Sequence, residues 1–144
     1  VNSGRLSVPA TLHTSTLNTA DTDVFAGKQV PGAVLTDAPV QRADGTPSWL
    51  LRELGSDFTL LVFGTATAWA HSLAHVQVIT VGTDLIDAQG LLAQRLDATP
   101  GTAYLIRPDQ HVCARWRQPT QAAVQAALAI ATAQSTVTSA GYAA

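Results

Sequence analysis

The stretch that decides the fold is TAYLIRPDQHVCARWR, residues 102–117. Its two halves are rich in β-branched, aromatic and aliphatic residues, which favours strands. Between them lies Pro108-Asp109-Gln110, where proline fixes φ for a bend and aspartate can accept hydrogen bonds from nearby backbone amides. Because parallel strands need a long crossover, so short a connection predicts an antiparallel hairpin.

Strict alternation along the second strand predicts which of its side chains share a face. One face is suited to a core and carries Val112, Ala114 and Trp116. The other face is predicted to be partly exposed and carries His111, Cys113 and Arg115. On this pattern, the hairpin turns one side toward the interior and the other partly toward solvent.

Charged residues, among them Arg117, cluster around the hairpin. They could form a docking surface or an ion network between strands. They could equally be a solvated hairpin end whose charges suppress pairing of the sheet edge. The candidate interaction residues are Arg107, Asp109, His111, Arg115 and Trp116.

Composition limits the class of protein. The chain has 144 residues, of which 47% are hydrophobic and 12% charged, so it fits one globular domain and is unlike a disordered chain. A net charge of -2 offers no electrostatic reason to bind nucleic acid or a membrane surface. No apolar run approaches the roughly 20 residues of a membrane span. We therefore expect neither nucleic acid nor a membrane as a partner.

The single cysteine, Cys113, excludes a disulfide framework and a cysteine-rich metal site within the chain. One free cysteine is compatible with a reducing compartment, and we expect a cytoplasmic location. Methionine is absent, so we expect the chain to be a piece of a longer protein. We divide it into an extended lead-in at residues 1–24, a domain at 25–134 and a flexible tail at 135–144.

Between the lead-in and the hairpin, two runs rich in apolar residues predict core strands. They are FTLLVF at 58–63 and VQVITV at 76–81. Short edge strands are expected near Val34 and Val40, and residues 84–87 are expected to form a loop. Helices are expected at 47–54 after a Thr46 cap, at about 66–75, from an Asp87 cap to about Leu96, and from Pro119 to about Ala133.

The order of these elements is strand, helix, strand, helix, strand, strand, helix. A strand–helix–strand unit implies a right-handed crossover and a parallel pair, and the hairpin adds antiparallel strands. A βαβ half followed by a ββα half is the thioredoxin arrangement. We therefore predict an α/β, thioredoxin-like mixed sheet flanked by helices, with an extended N-terminal lead-in.

A working thioredoxin-like enzyme keeps its reactive thiols where the first core strand enters its helix. In this chain the corresponding stretch is GTATAW, residues 64–69, which contains no cysteine. Cys113 lies far along the chain, in the hairpin, and is predicted to be unreactive. An alternative hypothesis for the function is an independent thioredoxin-like redox or peroxidase-like protein that uses Cys113.

The sequence gives little support for a metal site or for the common catalytic and nucleotide-binding motifs. His71 and His75 are spaced i, i+4, and with His111 and Cys113 they could in principle bind zinc, but they belong to different elements. The chain contains no G-x-S-x-G, G-x-G-x-x-G or P-loop motif. We therefore assign no catalytic, cofactor-binding or metal-binding residue.

Four segments together resemble a known family. They are VNSGRLSVP with SxLNT, VPGAVLTDAPV, DG-x-PSWLLRELG-x-DFTLLVFG and YLIRPDQHVCARWR. The chain resembles the C-terminal portion of flavin-dependent aromatic-ring hydroxylases, the phenol hydroxylase-type monooxygenases that include the chlorophenol and hydroxyphenylpropionate hydroxylases. The most specific part is RPD-x-HV-x-x-RW at 107–116.

The resemblance implies a thioredoxin-like domain without redox cysteines, following an FAD-binding domain and a substrate domain. Enzymes of this family use FAD and NAD(P)H to place one oxygen atom of O₂ on a phenolic ring, and the cofactor motifs lie in the preceding domains. The implied role is therefore structural and non-catalytic, in association of domains and subunits. The implied partners are the preceding FAD/substrate domain of the same polypeptide and a second copy in a homo-oligomer, such as a dimer.

Overall fold

The structure, a computed structural model, describes the backbone of residues 17–143 and the side chains of residues 17–132. Residues 1–16 of the predicted lead-in, and Ala144, lie outside the described residues. Within the described chain, seven strands form one mixed sheet in the order β2-β1-β5-β4-β3-β6-β7. The strands are β1 Pro39–Arg42, β2 Pro47–Trp49, β3 Phe58–Phe63, β4 Val76–Val81, β5 Leu85–Ile86, β6 Ala103–Ile106 and β7 Val112–Trp116.

The centre of the sheet confirms the predicted thioredoxin-like arrangement. β3 pairs in parallel with β4 and antiparallel with β6, so the parallel β3–β4 unit lies beside the antiparallel hairpin that leads into the last helix. Five of the six residues of β3 are buried, as its largely apolar sequence predicts. One face of the sheet packs against α2 (Leu91–Leu96), and the other packs against α3 (Gln121–Ala143).

The hairpin forms where it is predicted, with β6 antiparallel to β7, but its faces are not those predicted. Val112 pairs with Ile106 and Ala114 pairs with Leu105, so Cys113 is an extra residue that forms a β-bulge. A bulge interrupts the two-residue alternation of side chains. All five residues of β7 are buried, because side chains pack against both faces of the strand.

The bulge assigns the side chains of β7 to faces differently from strict alternation. Val112 joins the core cluster on the α2 face, together with Tyr104. Cys113, Ala114 and Trp116 join the cluster beneath α3. The prediction that Val112, Ala114 and Trp116 share one face was therefore wrong, and so was the expected exposure of Cys113 and Arg115.

The helix predicted at 47–54 is largely replaced by a strand. Pro47–Trp49 forms β2, the outer edge strand, which pairs with β1, and only α1 (Leu50–Glu53) is helical. Thr46 does not cap this helix. The Asp37 carboxylate accepts the Leu51 N–H at 3.0 Å instead. Pairing with β1 overrides the helical pattern, because hydrogen bonds between the two strands stabilise the extended conformation. Helix propensity does not take account of such contacts.

The helix predicted at 66–75 is reduced to a 3₁₀ turn at Ala68–Ser72. Its first residue follows Thr67, whose side chain makes no capping hydrogen bond. His75, at the end of the predicted helix, has a φ of 59°. This left-handed conformation ends any helix before β4. Because the start of the predicted helix has no capping hydrogen bond and its end has a left-handed residue, the connection forms only a short 3₁₀ turn.

The helix predicted from Asp87 starts later, although Asp87 does cap it. Its carboxylate accepts the N–H groups of Leu92 and Ala93 at 3.1 and 2.9 Å. Gly90, with a φ of 72°, stands immediately before the first helical residue, Leu91. The stretch predicted as a loop at 84–87 contains β5, which bridges β4 and β1.

The last helix, α3, is longer than predicted. It is capped by Thr120, whose hydroxyl accepts the Ala123 N–H at 3.1 Å, and it continues to Ala143 rather than ending near Ala133. The predicted flexibility of residues 135–144 stays a prediction. Among the described residues, no helix combines the length and the apolar character that crossing a membrane requires.

Candidate functional site

Two parts of the segment 17–35, residues 17–23 and 32–35, lie beside β7 and the turn before it, and β7 is the outermost strand on one side of the sheet. The Thr19 N–H donates to the Cys113 carbonyl at 3.0 Å, and the Gly32 N–H donates to the Val112 carbonyl at 2.7 Å. The Val112 N–H in turn donates to the Ala33 carbonyl at 2.8 Å. These bonds use backbone groups that an open edge strand would offer to another chain.

Arg115 fixes this segment through a buried ion pair. Its side chain is only 2% exposed, and its Nε and Nη2 donate to the two carboxylate oxygens of Asp21 at 3.0 and 2.7 Å. Nη1 lies 3.5 Å from the Tyr104 hydroxyl, and the guanidinium carbon lies 4.4 Å from the centre of the Phe25 ring. A two-point bond of this kind sets orientation as well as distance.

Arg117 makes a second set of contacts beside the first. Its backbone N–H donates to the Asp23 carboxylate at 2.9 Å. Its Nη2 donates to the Asp97 carboxylate at 2.7 Å and to the Val24 carbonyl at 3.0 Å. Its guanidinium carbon lies 3.9 Å from the centre of the Phe25 ring, within cation–π range.

We call this group the lead-in clamp, and it consists of Asp21, Asp23, Phe25, Asp97, Arg115 and Arg117. Asp97 within the clamp and Tyr104 beside it both have shifted pKa values. The Ala26 N–H, followed by the Arg117 guanidinium, lowers the pKa of Asp97. Burial raises the pKa of Tyr104, whose hydroxyl donates to the Leu96 carbonyl. The clamp is therefore arranged around an ionised Asp97 and a neutral Tyr104.

Acid is expected to weaken the clamp through Asp97. Because the folded-state pKa of Asp97 is lowered, its contribution to stability is present above its ordinary pKa and is lost as pH falls through the folded value. Urea unfolding of the wild type and of Asp97→Asn, measured from pH 6 to pH 2, tests this. The stability difference between the two proteins should shrink as pH falls, and a difference that is constant over this range would contradict the prediction.

The structure does not bring the five candidate interaction residues into one surface. Arg107, Asp109 and His111 lie together at the hairpin turn, where Arg107 pairs with Asp109 and the Asp109 carboxylate accepts the His111 N–H at 3.2 Å. Arg115 belongs to the lead-in clamp. Trp116 is 6% exposed and lies in the core beneath α3. A role for these five residues in binding a partner stays a prediction.

Sequence reasoning missed the acidic half of the clamp. Asp21 and Asp23 are spaced two residues apart, as are their partners Arg115 and Arg117. Alternate residues of two extended segments lie on one side of each, so opposite charges at the same spacing can pair. Only Asp21 and Arg115 form such an ion pair, because Asp23 accepts the Arg117 backbone N–H and the Arg117 guanidinium pairs with Asp97.

The place where a thioredoxin-like enzyme keeps its thiols is a cavity at the end of β3. It has a volume of 370 Å³ and is lined in part by Val62, Thr65, Thr67, Trp69 and Pro119. The stretch that enters the 3₁₀ turn, residues 64–67, carries threonine hydroxyls and no cysteine. A hydroxyl at this position cannot carry out thiol–disulfide exchange, which requires a thiolate.

Cys113 is buried in β7 rather than placed at a helix start. Its Sγ donates to the Leu17 carbonyl at 3.5 Å, and burial raises the pKa of its thiol to about 11. The neutral thiol therefore predominates near neutral pH. In the part of the chain that the structure describes, no three His, Cys, Asp or Glu side chains lie close enough together to hold a metal ion.

Comparison with known protein families matches residues 28–136 to the family described as "Aromatic-ring hydroxylase, C-terminal". The chain belongs to this family. The match extends from the loop before β1 to well within α3 and includes the whole sheet. No curated protein matches the chain.

Solved structures with the same fold include two larger flavoproteins. Aklavinone-11 hydroxylase, in a ternary complex with FAD and aklavinone, matches with a TM-score of 0.65 and 22% identity over 81% of this chain and 24% of its own. The flavin-dependent monooxygenase PieE, in complex with FAD and substrate, matches with a TM-score of 0.61 and 21% identity over 81% of this chain and 23% of its own. The chain thus spans about a quarter of each of these proteins.

A third structure with this fold is a peroxidoxin, BcpB from Mycobacterium tuberculosis. It matches with a TM-score of 0.53 and 18% identity over 77% of this chain and 98% of its own. The hydroxylases contain the fold as a minor part of their length, whereas the peroxidoxin consists almost entirely of it. At these identities the likeness establishes the fold.

Proposed function

We propose that this chain is a non-catalytic domain of an FAD-dependent aromatic hydroxylase, and that it holds the domains or subunits of that enzyme in place. The observation that carries the proposal is the lead-in clamp. Within it, Asp21 and Asp23 fix the segment that enters the domain onto β7, through the Arg115 guanidinium and the Arg117 backbone N–H. FAD and NAD(P)H would be bound by a preceding FAD/substrate domain of the same polypeptide.

The clamp supports this role because it gives the entering segment a defined direction. A flexible linker has no such side-chain contacts, and the domains on either side of it reorient freely. Here the Asp21–Arg115 pair is bidentate, and the Phe25 ring contacts two guanidinium groups. The clamp therefore fixes where the chain enters this domain, which supports a role in holding a preceding domain.

The chemistry of the described residues agrees with a non-catalytic role. The cavity at the end of β3 offers threonine hydroxyls where a redox enzyme of this fold places thiols. The alternative, a redox or peroxidase-like protein that uses Cys113, has the peroxidoxin fold in its favour. Burial of Cys113 and the raised pKa of its thiol are strongly against it, since peroxide reduction needs an accessible thiolate.

A direct experiment tests the non-catalytic role. The purified chain is mixed with FAD, NADPH and phenol, and flavin binding and NADPH oxidation are followed by absorbance. We expect no stoichiometric flavin and no phenol-dependent oxidation of NADPH. Flavin retained through gel filtration, or turnover by this chain alone, would overturn the proposal.

A second experiment tests the holding role in the longer polypeptide. Asp21→Ala in that protein should lower thermal stability and loosen FAD retention, while kcat per bound flavin stays near the wild-type value. Sedimentation of the same variant would show whether assembly into homo-oligomers also depends on the clamp. If kcat per bound flavin fell instead, with stability unchanged, the domain would have a part in turnover.

A further inference from the structure

The cavity at the end of β3, where a redox enzyme of this fold places its thiols, has the size and position of a ligand site. Its volume of 370 Å³ lies within the range of about 300–1,000 Å³ that is usual for small-molecule sites. It lies beyond the carboxyl end of β3, which pairs in parallel with β4, and ligands of α/β sheets bind outside the carboxyl ends of parallel strands. The holding role proposed above requires no such cavity.

The buried part of the cavity wall is apolar. It consists of Leu60, Val62 and Ala70, each of which is at most 7% exposed. Trp69 and Pro119 also line the cavity and are partly buried. An indole ring and a proline ring offer flat apolar faces, against which another ring packs well. This part of the wall is therefore suited to an aromatic ring.

The exposed part of the wall is polar but uncharged, and it contains Thr65, Thr67 and Gln118. The side chain of Gln118 lies against Gly101, which lines the same cavity. A Cβ at Gly101 would lie 3.0 Å from Gln118 Cγ and 3.3 Å from Gln118 Nε2, so only glycine leaves room for the amide there. Within the described residues this amide makes no hydrogen bond with the protein. Its donor and its acceptor are thus both available to a ligand.

We propose that this cavity binds a neutral aromatic compound of one or two rings that carries a hydroxyl group, with the ring beside Trp69 and the hydroxyl bonded to the Gln118 amide. A hydroxyl both donates and accepts hydrogen bonds, as the amide does. A carboxylate or an ammonium group would lose water without meeting an opposite charge, because none of the described residues that line the cavity is charged. Arg117, next to Gln118 in the chain, is already paired with Asp97.

A suitable probe is 2-naphthol, and 2-naphthoate, which is ionised at pH 7, is its charged counterpart. Each is titrated into the ¹⁵N-labelled chain, and backbone amide and indole N–H signals are followed by NMR. The variant Trp69→Phe assigns the Trp69 indole signal. We expect 2-naphthol to shift this signal and the amides of Gly101 and Gln118 with one saturable, sub-millimolar affinity. The charged 2-naphthoate should bind at least about ten-fold more weakly.

The indole of Trp49 is an internal control for non-specific stacking, because it lies in β2 and is 45% exposed. Its signal should stay in place while that of Trp69 moves. Equal binding of the two probes, a shift of Trp49 as large as that of Trp69, or no saturable shift would each overturn the proposal.

Two variants sharpen the test. Gln118→Met removes the amide while keeping most of the side-chain volume, and it should weaken 2-naphthol binding about five-fold or more. Gln89→Met is the matched control, since Gln89 is also an exposed glutamine but lies in the loop after β5, and it should leave the affinity unchanged. An affinity for 2-naphthol that is unchanged by Gln118→Met would overturn the proposal. If Gln118→Met does not fold, the wild-type comparison of 2-naphthol with 2-naphthoate decides.

Discussion

Replacement of Asp21 by alanine is expected to lower the free energy of unfolding by about 3 kcal/mol, because it leaves a buried arginine without its counter-ion. Arg115 is 2% exposed, and Asp21 supplies both acceptors of its bidentate bond. The Tyr104 hydroxyl and the Phe25 ring remain near the guanidinium, but neither carries a negative charge near neutral pH. Urea unfolding followed by circular dichroism measures the loss.

Two further variants separate the ion pair from a general effect of losing an aspartate. Asp57→Ala removes an exposed carboxylate and should change stability by less than about 0.5 kcal/mol. The double variant Asp21→Ala with Arg115→Met should be more stable than the sum of the two single losses predicts, since no lone charge stays buried. A loss for Asp21→Ala no larger than that for Asp57→Ala would show that the clamp contributes nothing to stability.

The thiol of Cys113 is expected to react with a disulfide reagent at least about 100-fold more slowly in the folded protein than in urea at pH 7. With its pKa raised to about 11, only about one thiol in ten thousand is ionised at that pH, against a few per cent for an ordinary cysteine. Burial slows the reaction further by excluding the reagent. Release of the coloured thiolate, followed with and without urea, gives the ratio directly.

The raised pKa of the Cys113 thiol also predicts that the protein becomes less stable at high pH. Because the folded-state pKa of Cys113 is raised above its ordinary value of 9.0, the neutral thiol stabilises the fold below that pH, and this stabilisation is lost as pH rises through about 11. Cys113→Ala should lack this part of the pH dependence. Rapid labelling of the folded protein at pH 7 would contradict the prediction and would favour the peroxidase-like alternative.

Local patterns were sufficient for the central strands. Five of the six residues at 58–63 are apolar, which is typical of a strand covered on both faces, and the structure buries β3 between α2 and α3. The three-residue link at 108–110 was sufficient to require an antiparallel hairpin. In both cases the information lies within a few neighbouring residues, so the sequence determines the outcome.

Local patterns failed where strand pairing or the conformation of a connecting loop overrode helical propensity. Residues 47–49 carry a helix-start signal but pair with β1. Residues 66–75 have helical spacing but form only the short 3₁₀ turn Ala68–Ser72. The predicted faces of β7 were wrong for another reason, because one extra residue at Cys113 rotates the preceding part of β7 relative to the following part.

The sequence by itself determined the thioredoxin-like order of strands and helices, the hairpin, and the lack of a cysteine at the end of β3. Only the tertiary structure decided the bulge in β7 and the lead-in clamp. The clamp joins residues 94 positions apart in the chain, as in the Asp21–Arg115 pair. Such a contact depends on where the folded sheet brings two segments together, and no local pattern specifies that position.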